Sequence, residues 1–228
     1  MIQSEDIEKL IVTYQPPQGE ERDAILFMLA KEGFISNPSI IALIGIGGTI
    51  SSSYSPTLET IIPSQSKPSI RVMNEIQKWG INDDIFSAFD PFAKDSRDLV
   101  INDIKQLLDI VACIDNQRVL VTVGTYLLPK VTEALYRLTP VLDKKIIAVT
   151  GSSLPLGFLG SDAPQNVLAA IATMNYIFGQ ETTGGGKVFA AYHGKVYQSL
   201  EHIRALELHP KESSEKLVVY PSISIPFV

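Results

Sequence analysis

The sequence contains a single cysteine, no long hydrophobic run and no cluster of basic residues. Cys113 has no second cysteine with which to form an internal disulfide, and the apolar periodicity around it predicts a buried position on a helix. Because no run of about 18 apolar residues occurs and the first residues are acidic, we expect a soluble, cytoplasmic protein without a membrane partner. The 19 Lys and Arg do not outnumber the 25 Asp and Glu, which argues against nucleic acid as a partner.

Motifs for metals and nucleotides are also missing. The histidines His193, His202 and His209 lie near the end of the sequence and lack the spacing of a metal-binding motif. There is no GxxxxGK[ST] phosphate loop, and a dinucleotide fingerprint begun by Gly45 and Gly47 would need a third glycine where Ile50 stands. We therefore expect no metal site, no His-based triad and no cofactor.

What the sequence does have is a regular alternation of strand-like and helix-like segments. Residues 1–38 predict two short helices around the turn "QPPQG", which we treat as an N-terminal helical appendage. In residues 39–228, runs rich in Ile and Val alternate with segments of helical periodicity. This order predicts an α/β domain with a doubly wound, mainly parallel sheet. Two later segments, "GKVYQS" and "EKLVVYPSI", predict edge or hairpin strands before a C-terminal tail.

The three strongest predicted strands each end in glycine followed by hydroxyl side chains. Their ends read "GIGGTISSS", "VGTY" and "TGSS". Such a turn taken alone is explained by the connection of a strand to a helix. Three of them favour a ligand site, because the carboxyl ends of parallel strands meet at one edge of the sheet. Thr49, Thr125 and Ser152 are then expected to border one pocket, with the glycines allowing close approach of the backbone.

Four segments resemble the bacterial-type L-asparaginases, in the order that this family has them. "GGTI" resembles the first signature, which carries the threonine nucleophile, and "KDSRDL" resembles the segment that holds the substrate. "VTVGTYLLPKVTEAL" resembles the second signature, usually HGTDT followed by a helix. "TGSSLPLGFLGSDAPQN" resembles a stretch that ends in an SDG-N motif. The resemblance extends from residue 40 to about residue 199.

The resemblance implies a flavodoxin-like α/β domain that hydrolyses the side-chain amide of asparagine or a related amide without a cofactor. It assigns the nucleophile to Thr49 and the positioning of water to Thr125. It also implies substrate contacts on the same turns and the segments beside them. These residues are Gly48, Tyr54, Asp95, Ser96, Gly124, Tyr126 and Ser152. The bound partner would be a small amino-acid amide.

The sequence departs from the family at its catalytic relay, which joins a threonine, a lysine and an aspartate. Thr125 matches the threonine, but Val123 replaces the histidine of HGTDT, and Tyr126 and Leu127 replace its aspartate and second threonine. The helix after Asp162, where we look for the lysine, has none through residue 186. Two hypotheses follow: an asparaginase-like amidohydrolase with weak or lost activity, or a catalytically silent protein that binds a small ligand or serves as a scaffold.

Simpler interpretations of the same residues stay open. Asp95 and Ser96 would also suit the entry to the next helix, and Asp162 followed by Pro164 is typical of a helix N-cap. Tyr126 could serve only to cover a helix start. The family's smaller C-terminal domain has no counterpart in this sequence, and the surface that it would cover predicts self-association, as a dimer.

Overall fold

The computed structural model describes residues 2–55, 60–62, 67–142, 144–180 and 186–208. The strand predicted at "EKLVVYPSI" lies outside these ranges. The helices are α1 (Ser4–Thr13), α2 (Gly19–Lys31), α3 (Pro68–Lys78), α4 (Ile101–Cys113), α5 (Leu128–Arg137), α6 (Ala163–Gly179) and α7 (Leu200–Leu208). The strands are β1 (Ile41–Gly45), β2 (Ser53–Ser55), β3 (Thr60–Ile62), β4 (Phe86–Phe89), β5 (Arg118–Thr122), β6 (Ile146–Thr150), β7 (Lys187–Tyr192) and β8 (Lys195–Tyr197).

The main sheet of the described residues has six strands in the order β4-β1-β5-β6-β7-β8. Its first five strands are parallel, and β8 runs antiparallel to β7. The register pairs Gly45 with Thr122, Thr122 with Thr150, and Thr150 with Ala191, so the carboxyl ends of four strands lie side by side. This arrangement confirms the predicted doubly wound, mainly parallel sheet and places the ends of β1, β5 and β6 at one edge.

Helices cover both faces of the sheet, which explains the nearly uninterrupted apolar runs of the central strands. Along β1, Ala42 and Ile44 belong to the apolar cluster on the face of α4 and α5. Ile41 and Leu43 belong to the cluster that contains residues of α3 and α6. Both sides of each strand are therefore buried, so period-two alternation of polar and apolar residues is absent.

The two N-terminal helices share the core of the α/β domain. Ile7 and Leu29, each 1% exposed, belong to the same cluster as the residues of α4, α5 and the central strands. Lys130 Nζ on α5 donates to Ile2 O at 2.8 Å. The segment that follows α2 reaches the β4 edge of the sheet, where Ile35 N donates to Ser87 Oγ at 2.6 Å. Residues 2–38 thus pack on one face and contact one edge of the sheet.

Cys113 lies in the core, as the sequence predicts. The side chain is buried on α4, and burial raises the pKa of its thiol to about 11. A thiol with such a pKa is almost entirely protonated at neutral pH and is a poor nucleophile. In the part of the chain that the structure describes, no helix combines the length and the apolar character needed to cross a bilayer.

Candidate active site

The turns after β1 and β5 pack directly against each other. Gly48 has φ = 93° and ψ = 179°, a backbone conformation that residues other than glycine rarely adopt. A Cβ atom at Gly48 would overlap the backbone N and Cα of Gly124. The absence of both side chains therefore lets the two backbones touch, and Thr49 and Thr125 directly follow the touching glycines.

The segment after β4 forms a third side of this site. Gly47 forms a parallel β-bridge with Lys94, and a Cβ at Gly124 would overlap the side chain of Ser96. Ser96 is 6% exposed, so it is packed into the wall of the site. The structure therefore brings together the segments around Gly48, Ser96 and Gly124.

Asp95 and Ser96 do not cap the following helix, so that simpler interpretation is wrong. The N-terminus of α4 is closed by Asp103, whose Oδ2 accepts a hydrogen bond from Val100 N at 2.9 Å. Asp95 accepts bonds from Arg97 N at 2.9 Å and from the Arg97 guanidinium at 2.9 and 3.1 Å. The hydrogen bonds from the Arg97 side chain, above all, hold the pKa of Asp95 below its usual range.

The hydroxyls that follow Thr49 stabilise the turn itself. Thr49–Ser51 is a short 3₁₀ turn, and the side chains of Ser51 and Ser52 donate to Gly48 O at 3.2 and 3.0 Å. Both serines are buried. Thr49 and Thr125 are partly exposed. The serine run thus holds the glycine turn in place, and the two threonines retain access to solvent.

The charged residues nearest in sequence to the site already have partners. Lys94 Nζ lies 2.7 and 2.9 Å from the two carboxylate oxygens of Asp103. Asp95 is paired with Arg97, as described above. Lys94 and Asp95 are therefore engaged in ion pairs, and neither is positioned as a base for Thr49.

Ser152 is a buried residue of the turn after β6. It is fully buried, and its hydroxyl donates to Leu154 O at 2.5 Å. A Cβ at Gly151 would overlap Val123 O, so this turn packs against the end of β5. Ser152 therefore supports the wall of the site from inside.

Asp162 occupies the N-cap position of α6 with Pro164 in the first turn, as predicted, but its side chain makes no capping hydrogen bond. Its Oδ1 accepts bonds from Ser153 N at 2.9 Å and Leu154 N at 3.3 Å. The hydroxyl of Ser161 accepts the bond from Ala163 N at 3.1 Å instead. The carboxylate of Asp162 therefore stabilises the turn after β6 and not the first turn of α6.

Asn166 on α6 ties this turn to the β7–β8 hairpin. Its Nδ2 donates to Gly151 O at 2.8 Å and to Asp162 Oδ2 at 3.0 Å. Its Oδ1 accepts a bond from Gly194 N at 2.8 Å. Because Asn166 is fully buried, these three bonds hold two loops in a fixed relation.

The structure adds two residues that the sequence interpretation missed. Tyr192 ends β7 and His193 follows it, at the same edge of the sheet as the glycine turns. Ser153 Oγ lies 2.9 Å from Tyr192 Oη and 3.5 Å from His193 Nε2. The sequence feature that could have indicated these two residues is the pair "YH" at the end of the predicted strand that the structure shows as β7.

The two tyrosines predicted near the ligand lie on different elements. Tyr54 lies on β2, where it pairs with Ile61 of β3. Tyr126 lies one residue after Thr125, and its side chain is 43% exposed.

Across the described ranges, no group of three or more His, Cys, Asp or Glu side chains has the arrangement that a metal ion requires.

The family model for the N-terminal domain of asparaginases matches residues 40–205. Because this match covers more than half of the chain, the protein belongs to the asparaginase family. No curated protein sequence matches the chain significantly.

Solved structures of two L-asparaginases share the fold. The thermostable L-asparaginase from Thermococcus kodakarensis is 21% identical with a TM-score of 0.52, and the match covers 68% of this chain and 44% of that enzyme. L-asparaginase I from Vibrio cholerae is 18% identical with a TM-score of 0.52, and the match covers 71% of this chain and 47% of that enzyme. The chain thus spans less than half of the length of these enzymes, and at such identities the likeness concerns the fold alone.

Proposed function

We propose that the protein is an asparaginase-type amidohydrolase that releases ammonia from the side-chain amide of asparagine or a related amide. The observation that supports this proposal is the contact between Gly48 and Gly124, the residues that directly precede Thr49 and Thr125. Thr49 Oγ1 attacks the amide carbonyl, ammonia leaves, and water then releases the acid from the threonine ester. Thr125 positions this water, and no cofactor takes part.

The remaining site residues bind and frame the substrate. Ser96 and the backbones of Gly48 and Gly124 form the wall against which the amide lies, and Asp95 fixes Arg97 beside it. Ser152 supports this wall from beneath the turn after β6. The positive end of the α5 dipole lies close behind Thr125, where it favours the negative charge of the tetrahedral intermediate. Tyr126, which is 43% exposed, borders the opening, and Tyr54 remains a substrate contact implied by the family resemblance.

The alternative is a catalytically silent protein that binds a small amide. It is favoured by the pairing of Lys94 with Asp103 and of Asp95 with Arg97, because neither pair offers Thr49 a base. A threonine hydroxyl reacts slowly unless a base takes its proton. The two functions therefore differ in turnover, although both need the same site.

Ammonia release by the purified protein distinguishes the two functions. Asparagine, glutamine and small dipeptide amides are offered at millimolar concentration, and ammonia is measured by a coupled enzyme assay. Release well above the background hydrolysis supports the amidohydrolase. Binding of one of these amides by calorimetry without ammonia release supports the silent protein, and the absence of both contradicts the site.

Tyr126→Asp should increase the affinity for free asparagine about tenfold. An aspartate there makes a charge-assisted bond to the α-ammonium worth about 1.5–3 kcal/mol, whereas a neutral phenol makes one worth about 0.5–1.5 kcal/mol. Calorimetry with asparagine measures the change, and Tyr126→Phe is the control for loss of the phenol alone. An N-acetylated asparagine should not gain affinity. If asparagine binds equally to the folded variant and the wild type, Tyr126 only packs at the start of α5.

The proposed assembly is a cytoplasmic homodimer. Exposed apolar side chains lie on the two N-terminal helices, with Val12 of α1 at 82% and Phe27 of α2 at 62% exposure. Burial of such side chains favours association. Light scattering at increasing protein concentration should give twice the mass of the chain, and a constant monomer mass would contradict the dimer.

A further inference from the structure

Ser153, Tyr192 and His193 form a cluster of hydroxyl and imidazole groups beside the proposed amide site. Ser153 and His193 are exposed, whereas Tyr192 is 7% exposed. The three side chains come from the turn after β6 and from the β7–β8 hairpin, two neighbouring loops at the carboxyl edge of the sheet. The proposed amide hydrolysis uses none of them.

The geometry of this cluster is that of an activated serine. Ser153 Oγ is 3.5 Å from His193 Nε2, a distance found between nucleophile and base in structures without a substrate. Tyr192 Oη is 2.9 Å from the same oxygen. In the tautomer that carries its proton on Nδ1, His193 can accept the proton of Ser153 at Nε2, and Tyr192 Oη can donate a hydrogen bond to Ser153 Oγ.

The surroundings hold these groups in place. Asp162 accepts hydrogen bonds from Ser153 N at 2.9 and 3.2 Å, which fixes the backbone of the serine. Asn166 accepts a bond from Gly194 N, which fixes the hairpin that carries His193. His193 itself has φ = 52°, in the left-handed region, and its ring centroid lies 4.1 Å from that of Tyr192.

Burial favours the protonated form of the phenol. Desolvation raises the pKa of Tyr192, and the hydrogen bond to Ser153 opposes this change only in part. A neutral phenol stays a hydrogen-bond donor at neutral pH. Tyr192 can therefore donate a hydrogen bond to Ser153 Oγ while the proton of Ser153 passes to His193.

We propose that Ser153 is a second nucleophile of this protein, activated by His193, which reacts with esters of small apolar acyl groups. Leu154 and Leu159, exposed on the same loop as Ser153, provide apolar surface for the acyl group. The Oγ–C bond forms as the Ser153 proton passes to His193 Nε2, and the C–O bond to the alcohol breaks as that proton passes to the leaving oxygen. Water then attacks the acyl-serine as His193 accepts a proton from it, and His193 returns this proton to Ser153 Oγ as the Oγ–C bond breaks and the carboxylic acid is released.

Acylation by p-nitrophenyl acetate and p-nitrophenyl butyrate tests this proposal. We expect a burst of p-nitrophenolate of about one per chain and an acyl group on the peptide that contains Ser153, detected by mass spectrometry. Ser39 is the internal control, because it is an exposed serine before β1, at the opposite edge of the sheet. Equal acylation of Ser39 and Ser153 would overturn the proposal.

Variants separate activation of Ser153 from its mere exposure. His193→Asn suits the left-handed turn but removes the base, and it should lower the acylation rate about a hundredfold. Tyr192→Phe keeps the ring and removes the hydrogen bond to Ser153 Oγ, so the rate should fall about tenfold. Ser153→Ala should abolish the burst. An unchanged rate in folded His193→Asn would overturn the role of the histidine. The acyl adduct is detected without ammonia release, so this proposal and the proposed amidohydrolase succeed or fail independently.

Discussion

Replacement of Thr49 by alanine is expected to lower ammonia release from the best amide substrate by at least about a thousandfold. Thr49 directly follows the contact between Gly48 and Gly124, and it is the residue to which the family signature "GGTI" assigns the nucleophile. Without its hydroxyl, only water can attack the amide, and the covalent pathway is lost. Initial rates at saturating substrate measure the effect.

The controls for this substitution use the same position. Thr49→Ser keeps a hydroxyl, so part of the activity should remain, whereas Thr49→Val keeps the shape of threonine and should behave as the alanine variant does. Binding of the substrate should change little in all three variants, because the wall of the site comes from Ser96, Gly48 and Gly124. Ammonia release that survives Thr49→Ala would assign the nucleophile to another residue.

Gly48→Ala should destabilise the protein by about 3 kcal/mol. A side chain at φ = 93° is strained, and the added Cβ would overlap the backbone of Gly124. The overlap involves backbone atoms, which cannot rotate away as a flexible side chain can. The turns after β1 and β5 must therefore separate, and binding of amides should be lost together with stability. Urea unfolding, followed by circular dichroism, measures the change.

Gly80→Ala is the matched control for the strain. Gly80 has φ = 77°, but no atom lies within 4 Å of the position of its Cβ. The substitution should therefore cost only the left-handed conformation, about 1 kcal/mol. The difference between the unfolding free energies of the two variants then measures the cost of separating the turns after β1 and β5. Equal destabilisation would mean that the Gly48–Gly124 contact does not constrain the site.

The sequence was sufficient to predict the sheet because the same apolar residues determine both local structure and burial. The runs that end at Ile46, Val123 and Thr150 are apolar on both sides, which only strands covered on both faces require. Their parallel order brings the glycine turns to one edge without any further information. The convergence of Gly48, Ser96 and Gly124 follows from this topology.

Hydrogen-bond partners in the site were harder to predict, because they depend on which loops meet in three dimensions. Asp162 has the local pattern of an N-cap, yet its carboxylate binds Ser153 N and Leu154 N nine and eight residues earlier in the chain. His193 is separated from Ser153 by 40 residues, and no local pattern relates them. Only the pairing of β6 with β7 reveals that they are neighbours.

The hydrogen bond between Lys130 and Ile2 also bears on the order in which the chain folds. It joins residues 128 positions apart. On the ribosome, α1 is made before α5, the helix that completes its packing, which follows more than a hundred residues later. Contacts of such separation close a long loop, which slows folding and favours their late formation. The α1 helix is therefore expected to dock late although it is made before α5, and until then Ile7 lacks the apolar cover that α5 supplies.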